Sequence, residues 1–250
     1  MKCEIIADIG INHNGNINKA KRMILEACKT GVDVVKFQLY NPKKLLHPKN
    51  FLAKNWETIL NSELTKEQVV LLKAYCDKIG IEFMASAFDL ERLQWLEDLN
   101  VVRHKIASRS IYDIEYVETI KKIGKPHIIS MGWVDKCNNY NESYYDLWKR
   151  LGKDIYYGNN DNVNFLYCIS KYPTYNIDLK SFPNKYDYYD GFSDHTLTID
   201  ASKVAIARGA RIIEKHYTFN KYSIGPDHYC SMDTEELKEL VRFRNFMEKM

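Results

Sequence analysis

Short apolar runs alternate with longer amphipathic stretches from one end of the chain to the other. The runs at 4–9, 32–39, 82–87, 102–107, 126–131, 163–168, 189–193 and 211–217 read as eight strands. Several are apolar on both faces, as strands enclosed between a packed interior and covering helices must be. Capping-box spacings, Thr65 with Gln68 and Asp233 with Glu236, open amphipathic segments between them, and the last helix is predicted over 234–250. Strand followed by helix, repeated, predicts parallel strands joined by crossover helices, and eight strands suit a closed (β/α)8 TIM barrel. Two stretches resist this rhythm. One is 41–64; the other, 135–162, is rich in Asn and Tyr and reads as an ordered loop with one helix. No linker breaks the pattern, so a single domain over 1–250 is expected.

Polar positions add a second layer to this pattern. In a barrel of this kind the reactive groups gather at the C-terminal ends of the strands. Asp8, Lys36, Gln38, Ser86, Lys105, Ser108, Ser130, Ser193, His195, Glu214 and His216 all fall in the later halves of predicted strands or just beyond. Side chains alternate along a strand, so Lys36 and Gln38 point the same way, as do Ser193 with His195 and Glu214 with His216. A lone ammonium in an apolar strand costs several kcal/mol, so Lys36 must face a carboxylate or an anionic ligand. The two imidazoles, near the ends of successive strands, make a metal site at neutral pH conceivable. Either histidine alone would read equally as a hydrogen-bonded core residue; their paired placement favours the site. Asn12 and His13 either face the same pocket or build the turn before Gly15.

Composition narrows the function classes. A chain of 250 residues with 45% hydrophobic content sustains one large core. Lys+Arg 36 against Asp+Glu 33, scattered along the chain, argues against a nucleic-acid or membrane-surface partner. Six cysteines without a CxxC spacing, and a strand pattern starting almost at the N-terminus where a signal peptide would lie, fit a reduced cytoplasm. In that setting the Asn141-Glu142-Ser143 sequon carries no meaning. No apolar run approaches the ~20 residues needed to cross a bilayer.

The segments Ala7-Asp8-Ile9-Gly10-Ile11-Asn12-His13-Asn14-Gly15, Val35-Lys36-Phe37-Gln38, Phe192-Ser193-Asp194-His195-Thr196-Leu197, Glu214-Lys215-His216-Tyr217-Thr218 and Gly225-Pro226-Asp227-His228 closely resemble the sialic acid (N-acetylneuraminate) synthase family. Their order and spacing match its catalytic barrel over almost the whole chain. The resemblance implies condensation of phosphoenolpyruvate with an N-acylated aldohexose or a related sugar to a nonulosonic acid, with release of phosphate. It implies that His195 and His216 hold a divalent metal, Mn²⁺ first, with Mg²⁺ or Co²⁺ as alternatives. Lys36, Lys105, Ser86, Ser108, Ser130 and Ser193 then cradle phosphoenolpyruvate. Gln38, Phe88, Ser170, Tyr172, Glu214 and Asp227 surround the substrates, chiefly the acceptor sugar. A homodimer is compatible with the same resemblance. Plainer roles stay open: strand-end hydrogen bonds for the serines, core packing for Phe88, a loop anchor beside Pro173 for Tyr172, and a turn cap after Pro226 for Asp227.

Three departures qualify the match. The first-strand motif usually carries Glu where this chain has Asp8, a carboxylate with a shorter reach that is the candidate general base. After Lys105-Ile106-Ala107-Ser108 the usual Gly-Glu is Arg109-Ser110, which removes a carboxylate. Asp8, Glu214 or Asp113 then handles the proton, or Arg109 binds a carboxylate or phosphate on a different acceptor, unless it simply lies on an exposed loop. Third, many members append a small antifreeze-like domain after the barrel, and this sequence ends before one. Two alternative functions therefore stay open: another 3-deoxy sugar acid synthase with a phosphorylated or carboxylated acceptor, and a catalytically silent sugar-binding or regulatory barrel.

Overall fold

The computed structural model describes residues 2–45, 55–134, 142–154, 158–159 and 162–250. Eight parallel strands close on themselves: β1 (Glu4–Gly10), β2 (Val34–Leu39), β3 (Glu82–Ala87), β4 (His104–Ile106), β5 (His127–Ser130), β6 (Val163–Cys168), β7 (Gly191–Asp194) and β8 (Ile212–His216). Each pairs with the next, and β8 pairs with β1, giving the (β/α)8 architecture. A separate antiparallel ladder of Lys153–Asp154 with Gly158–Asn159 stands outside the barrel sheet.

The expected strands all recur: 82–87 and 163–168 keep their bounds, the first runs one residue further to Gly10, and the others have trimmed or shifted ends. The run at 102–107 yields only three strand residues, because Val102 points into solvent at 63% exposure and Arg103 turns to an ion cluster. The 189–193 run shifts to start at Gly191, and 32–39 starts at Val34. Both capping boxes form: Thr65 and Gln68 open the helix Lys66–Ile79, and Asp233 and Glu236 open Thr234–Met247, which stops short of the predicted residue 250. The α-helical rhythm fails once. Between β6 and β7 the described crossover element is a 3₁₀ segment, Asn176–Ser181, bracketed by Pro173 and Pro183, which cannot sit inside a helix. The 41–64 stretch contains two short helices, Pro42–Leu45 and Trp56–Asn61. In 135–162 the one expected helix is Tyr144–Arg150, N-capped by Ser143, while Asn141 of the sequon and Cys137 lie outside the described residues. The five cysteines described are free thiols, and among the described residues no helix is long and apolar enough to cross a membrane.

Strand parity stacks the barrel interior in layers. At the N-terminal end Arg103 bridges Glu4 at 2.6 Å and Glu82 at 2.8 Å. Above it Ile6, Val34, Met84, Ile128, Leu166 and Ile212 form an apolar floor, a cluster separate from the core between strands and helices. Two residues further along the same strands stand Asp8, Lys36, Ser86, Ser130, Cys168 and Glu214, all around one cavity. A single pleat repeat thus carries each of these strands from floor to site.

Gly191 takes the place of a floor side chain on β7. A Cβ there would fall 1.9 Å from the Ile212 carbonyl oxygen of β8, so only glycine permits this strand approach. Gly191→Ala is expected to cost several kcal/mol, roughly at the upper end of single core substitutions, read as a lowered urea midpoint; an unchanged midpoint would contradict the close approach.

Candidate active site

All sixteen residues selected from the sequence, from Asp8 on β1 to Asp227 in the loop after β8, line one cavity of about 290 Å³ at the C-terminal mouth. Inter-strand register explains the convergence. Asp8 is the Cα partner of both Lys36 on β2 and His216 on β8, Ser86 is the partner of Gln38 and Lys105, and Ser193 is the partner of Glu214 and Cys168.

A lattice of buried charges occupies the bottom of the cavity. Lys36 Nζ donates to Asp8 Oδ2 at 2.8 Å and lies 3.6 Å from Glu214 Oε2. Lys105 Nζ lies 3.7 Å from Glu214 Oε1 and donates to Ser130 Oγ at 2.8 Å, while Ser193 Oγ donates to Glu214 Oε1 at 2.9 Å. Burial opposes the charge on Lys36, but the Asp8 and Glu214 carboxylates outweigh it and hold the ammonium above its ordinary pKa. At Lys105 burial wins and pushes the pKa down, against the pull of Glu214. Burial would raise Glu214, yet Lys105, Lys36 and the Ser193 hydroxyl keep it below the usual carboxylate range. Asp8 Oδ1, Ser86 Oγ and Glu214 Oε2 are buried without a hydrogen-bond partner, as is His216 Nδ1. Folded proteins leave few such atoms; four around one cavity mark a place shaped to receive polar groups.

The histidines sit beside this lattice, their ring centroids 5.7 Å apart. His195 Nδ1 donates to the Ile169 carbonyl at 2.9 Å, which fixes the tautomer and leaves the Nε2 lone pair free. His216 Nδ1 lies 3.3 Å from Asp8 Oδ2, outside hydrogen-bonding alignment. This pair fits a divalent ion as two neutral nitrogen ligands. Among the described residues no cluster of three or more His, Cys, Asp and Glu side chains offers itself to one ion, so the other positions would fall to water or substrate. Gly10 keeps the approach open: at φ +53 it carries no Cβ, which would crowd Gln38 Nε2 at 3.2 Å and His216 Nδ1 at 3.3 Å.

Several open roles resolve in the structure. Tyr172, preceding a cis proline, lays its ring 4.0 Å from that of His195. Phe88 lies at the mouth with its ring 6.5 Å from Tyr40, and the Asp227 side chain reaches the cavity wall. Ser108 Oγ accepts from Gly132 N at 2.9 Å and contacts Cys168 Sγ at 3.7 Å, and Ser170 lines the same wall. Asn12 and His13 belong to the turn: Asn12 Nδ2 donates to Tyr217 O and Ser231 Oγ, and His13 Nδ1 accepts from Gly15 N. Asp113 does not line the cavity, and its carboxylate caps the helix Ile114–Ile123 through Tyr116 N, so it does not carry a proton there. Tyr40, Leu45, Ile59, Trp133, Cys168 and Pro226 line the cavity without having been selected. Parity with Gln38 and Leu166 could have found Tyr40 and Cys168; Leu45 and Ile59 come from the segment without periodic signal.

Residues 23–250 match the family model described as the NeuB family. The chain belongs to the NeuB family. It is 35% identical over 263 residues to an N,N'-diacetyllegionaminic acid synthase of Legionella pneumophila, covering 97% of this chain and 71% of that protein. It is also 35% identical over 266 residues to the N-acetylneuraminate-9-phosphate synthase of Mus musculus, covering 99% of this chain and 70% of that one. An N-acetylneuraminic acid (sialic acid) synthetase from Leptospira borgpetersenii, solved in complex with citrate, superposes with TM-score 0.80 at 31% identity over 100% of this chain and 85% of its own. In this NeuB-family barrel the loops after β1 and β8 frame the mouth and are tied by His228, whose Nε2 donates to Asn14 Oδ1 at 2.9 Å.

Two outcomes follow from these charges. Lys36→Met strands two buried carboxylates and is expected to cost about 3–5 kcal/mol; Asp8→Asn in the same background should restore part of that, and strict additivity in urea denaturation would exclude the coupling. Burial, aided by Lys19, lowers His13 and His228 from 6.5 to about 4. Their neutral forms therefore favour the folded state, and stability should fall as pH drops through the window from 6.5 towards 4. His13→Asn and His228→Asn variants should show a flatter profile, and an unaltered one would remove these residues as its source.

Proposed function

We propose that this NeuB-family chain condenses phosphoenolpyruvate with an N-acylated aldohexose or related sugar, giving a nonulosonic acid and phosphate. One observation carries the reading: a cavity in which two buried lysines, five serine hydroxyls and two imidazoles converge above an apolar floor. A carboxylate and a phosphate on a three-carbon frame need such converging cations and donors, with Lys36, Lys105, Ser86, Ser108, Ser130 and Ser193 in that role.

The enol carbon of phosphoenolpyruvate attacks the sugar aldehyde carbon, and the aldehyde oxygen becomes a hydroxyl. Water adds to the adjacent carbon, which loses phosphate to leave the 2-keto acid. Lys36 and Lys105 are fixed in place by Asp8, Glu214 and Ser130 before any charge develops, so the site need not reorganise during the reaction. Asp8 or Glu214 accepts the proton released from water, and that proton balances the one taken up by the former aldehyde oxygen. His195 and His216 would hold a divalent ion, Mn²⁺ first and Mg²⁺ or Co²⁺ otherwise, which when bound acts as a Lewis acid on the aldehyde oxygen. The apolar floor closes the cavity from below, so water enters from the mouth. Cytoplasmic supply of both substrates fits this reading.

Incubation with phosphoenolpyruvate, Mn²⁺ and a panel of N-acetylhexosamines, diacetamido sugars and plain hexoses should release phosphate with one or more acceptors and give a product mass equal to both carbon skeletons. EDTA should abolish release and added Mn²⁺ restore it, with His195→Ala and His216→Ala each lowering kcat by about 100-fold or more. Absence of phosphoenolpyruvate consumption with every aldose would end the reading.

A further inference from the structure

The cavity has two zones of different character. At the bottom, the ammoniums of Lys36 and Lys105 face the carboxylates of Asp8 and Glu214. Towards the mouth the wall is formed by apolar and aromatic groups, among them Tyr40, Leu45, Ile59, Phe88 and Trp133. Among the described lining residues the cation of this upper zone is Arg109.

Arg109 is exposed, as the loop reading expected, but it is held in place. It lies in the short 3₁₀ segment Ser108–Ser110 directly after β4, beside a serine fixed by the Gly132 amide. Its guanidinium lies 5.8 Å from the Phe88 ring centroid, and Nη2 donates to the Leu45 carbonyl at 2.8 Å. That bond uses one of the five N–H donors of a guanidinium. No described carboxylate lies within ion-pairing reach of it. An oriented cation with free donors on a cavity wall is a receptor for a planar or tetrahedral anion.

The geometry of the reaction says where that anion comes from. Phosphoenolpyruvate belongs at the bottom, against Lys36 and Lys105, and the acceptor's aldehyde must reach it there. The far end of the acceptor is then directed to the mouth, where Arg109 stands. We propose that Arg109 is a specificity-determining residue whose free N–H fork receives a phosphate or carboxylate carried by the acceptor sugar at the end remote from its aldehyde. This assignment rests on the condensation reading above.

Equilibrium binding and turnover test it separately. A neutral N-acetylhexosamine, its 6-phosphate and the corresponding 6-carboxylate are titrated calorimetrically into the Mn²⁺-loaded protein, then assayed for phosphate release with phosphoenolpyruvate. One or both anionic sugars should bind about tenfold or more tighter than the neutral one and show a correspondingly lower KM. The arm that gains distinguishes phosphate from carboxylate. Arg109→Ala should collapse that preference through KM for the anionic acceptor, with KM for phosphoenolpyruvate and the melting temperature little changed, and Arg109→Lys should retain only part of it.

Three results would overturn the assignment: equal or better binding of the neutral sugar by the unaltered protein, a variant that loses both acceptor types in the same proportion together with melting temperature, or a rise confined to KM for phosphoenolpyruvate. The first leaves the condensation reading standing if the neutral sugar turns over. Conversely, Arg109-dependent binding of an anionic sugar without any phosphoenolpyruvate consumption would end the condensation reading while supporting the assignment.

Discussion

The structure is organised around one costly arrangement, two ammoniums and two carboxylates buried together at the mouth of a barrel. Lys36, Lys105, Asp8 and Glu214 are each nearly inaccessible to solvent. None could be charged there alone, since the desolvation of an isolated ion amounts to several kcal/mol even after the protein relaxes. Their mutual distances, 2.8 to 3.7 Å, make the cluster tenable as a group and untenable in parts. Everything below the cluster serves to place it. The apolar floor of Ile6, Val34, Met84, Ile128, Leu166 and Ile212 excludes water from one side, and the Arg103 cluster with Glu4 and Glu82 closes the opposite end of the barrel.

Strand geometry converts that requirement into sequence. A residue two positions after a floor residue has no choice of direction, so Asp8, Lys36, Ser86, Ser130, Cys168 and Glu214 reach the cavity because Ile6, Val34, Met84, Ile128, Leu166 and Ile212 reach the floor. This is why so much of the candidate site is legible in the sequence. Lys36 within Val34-Val35-Lys36-Phe37 demands an anion on physical grounds alone, and the partner proves to be Asp8, its neighbour in register on β1. The pairing of His195 with His216 follows from the same logic, each at the end of its strand and one parity step beyond a site residue.

What stayed illegible lies where parity has no hold. Leu45 and Ile59 line the mouth from a stretch whose two short helices leave no periodic trace. The β6 to β7 crossover departs from the α-helical rhythm because Pro173 and Pro183 bracket it, and a repeat expectation carries no information about such a local override. Asp113 looked chemically eligible as a proton carrier, yet its carboxylate is spent on the Tyr116 amide as a helix cap; composition cannot separate a capping aspartate from a reactive one without the backbone around it. Asn12 and His13 likewise belong to the turn that Gly15 completes, although their motif position alone leaves both roles open.

This division has a mechanical consequence for how specificity and chemistry coexist in one cavity. Groups on strands are locked by the ladder on both sides, and shifting Asp8, Lys36 or His216 would require moving β1, β2 or β8, each against two neighbours at once. Arg109, Phe88, Trp133 and Tyr172 sit on connections beyond the strand ends, where a change of side chain alters the cavity wall without disturbing the ladder. The charged bottom can therefore remain constant while the mouth is remodelled for different acceptors. In this chain the wall carries a guanidinium fixed against Phe88 and the Leu45 carbonyl, and fixing it in advance lowers the entropic cost of meeting an anion there. A flexible ammonium at the same place would bring the charge without the orientation, so the wall that carries the guanidinium is as much a part of recognition as the guanidinium itself.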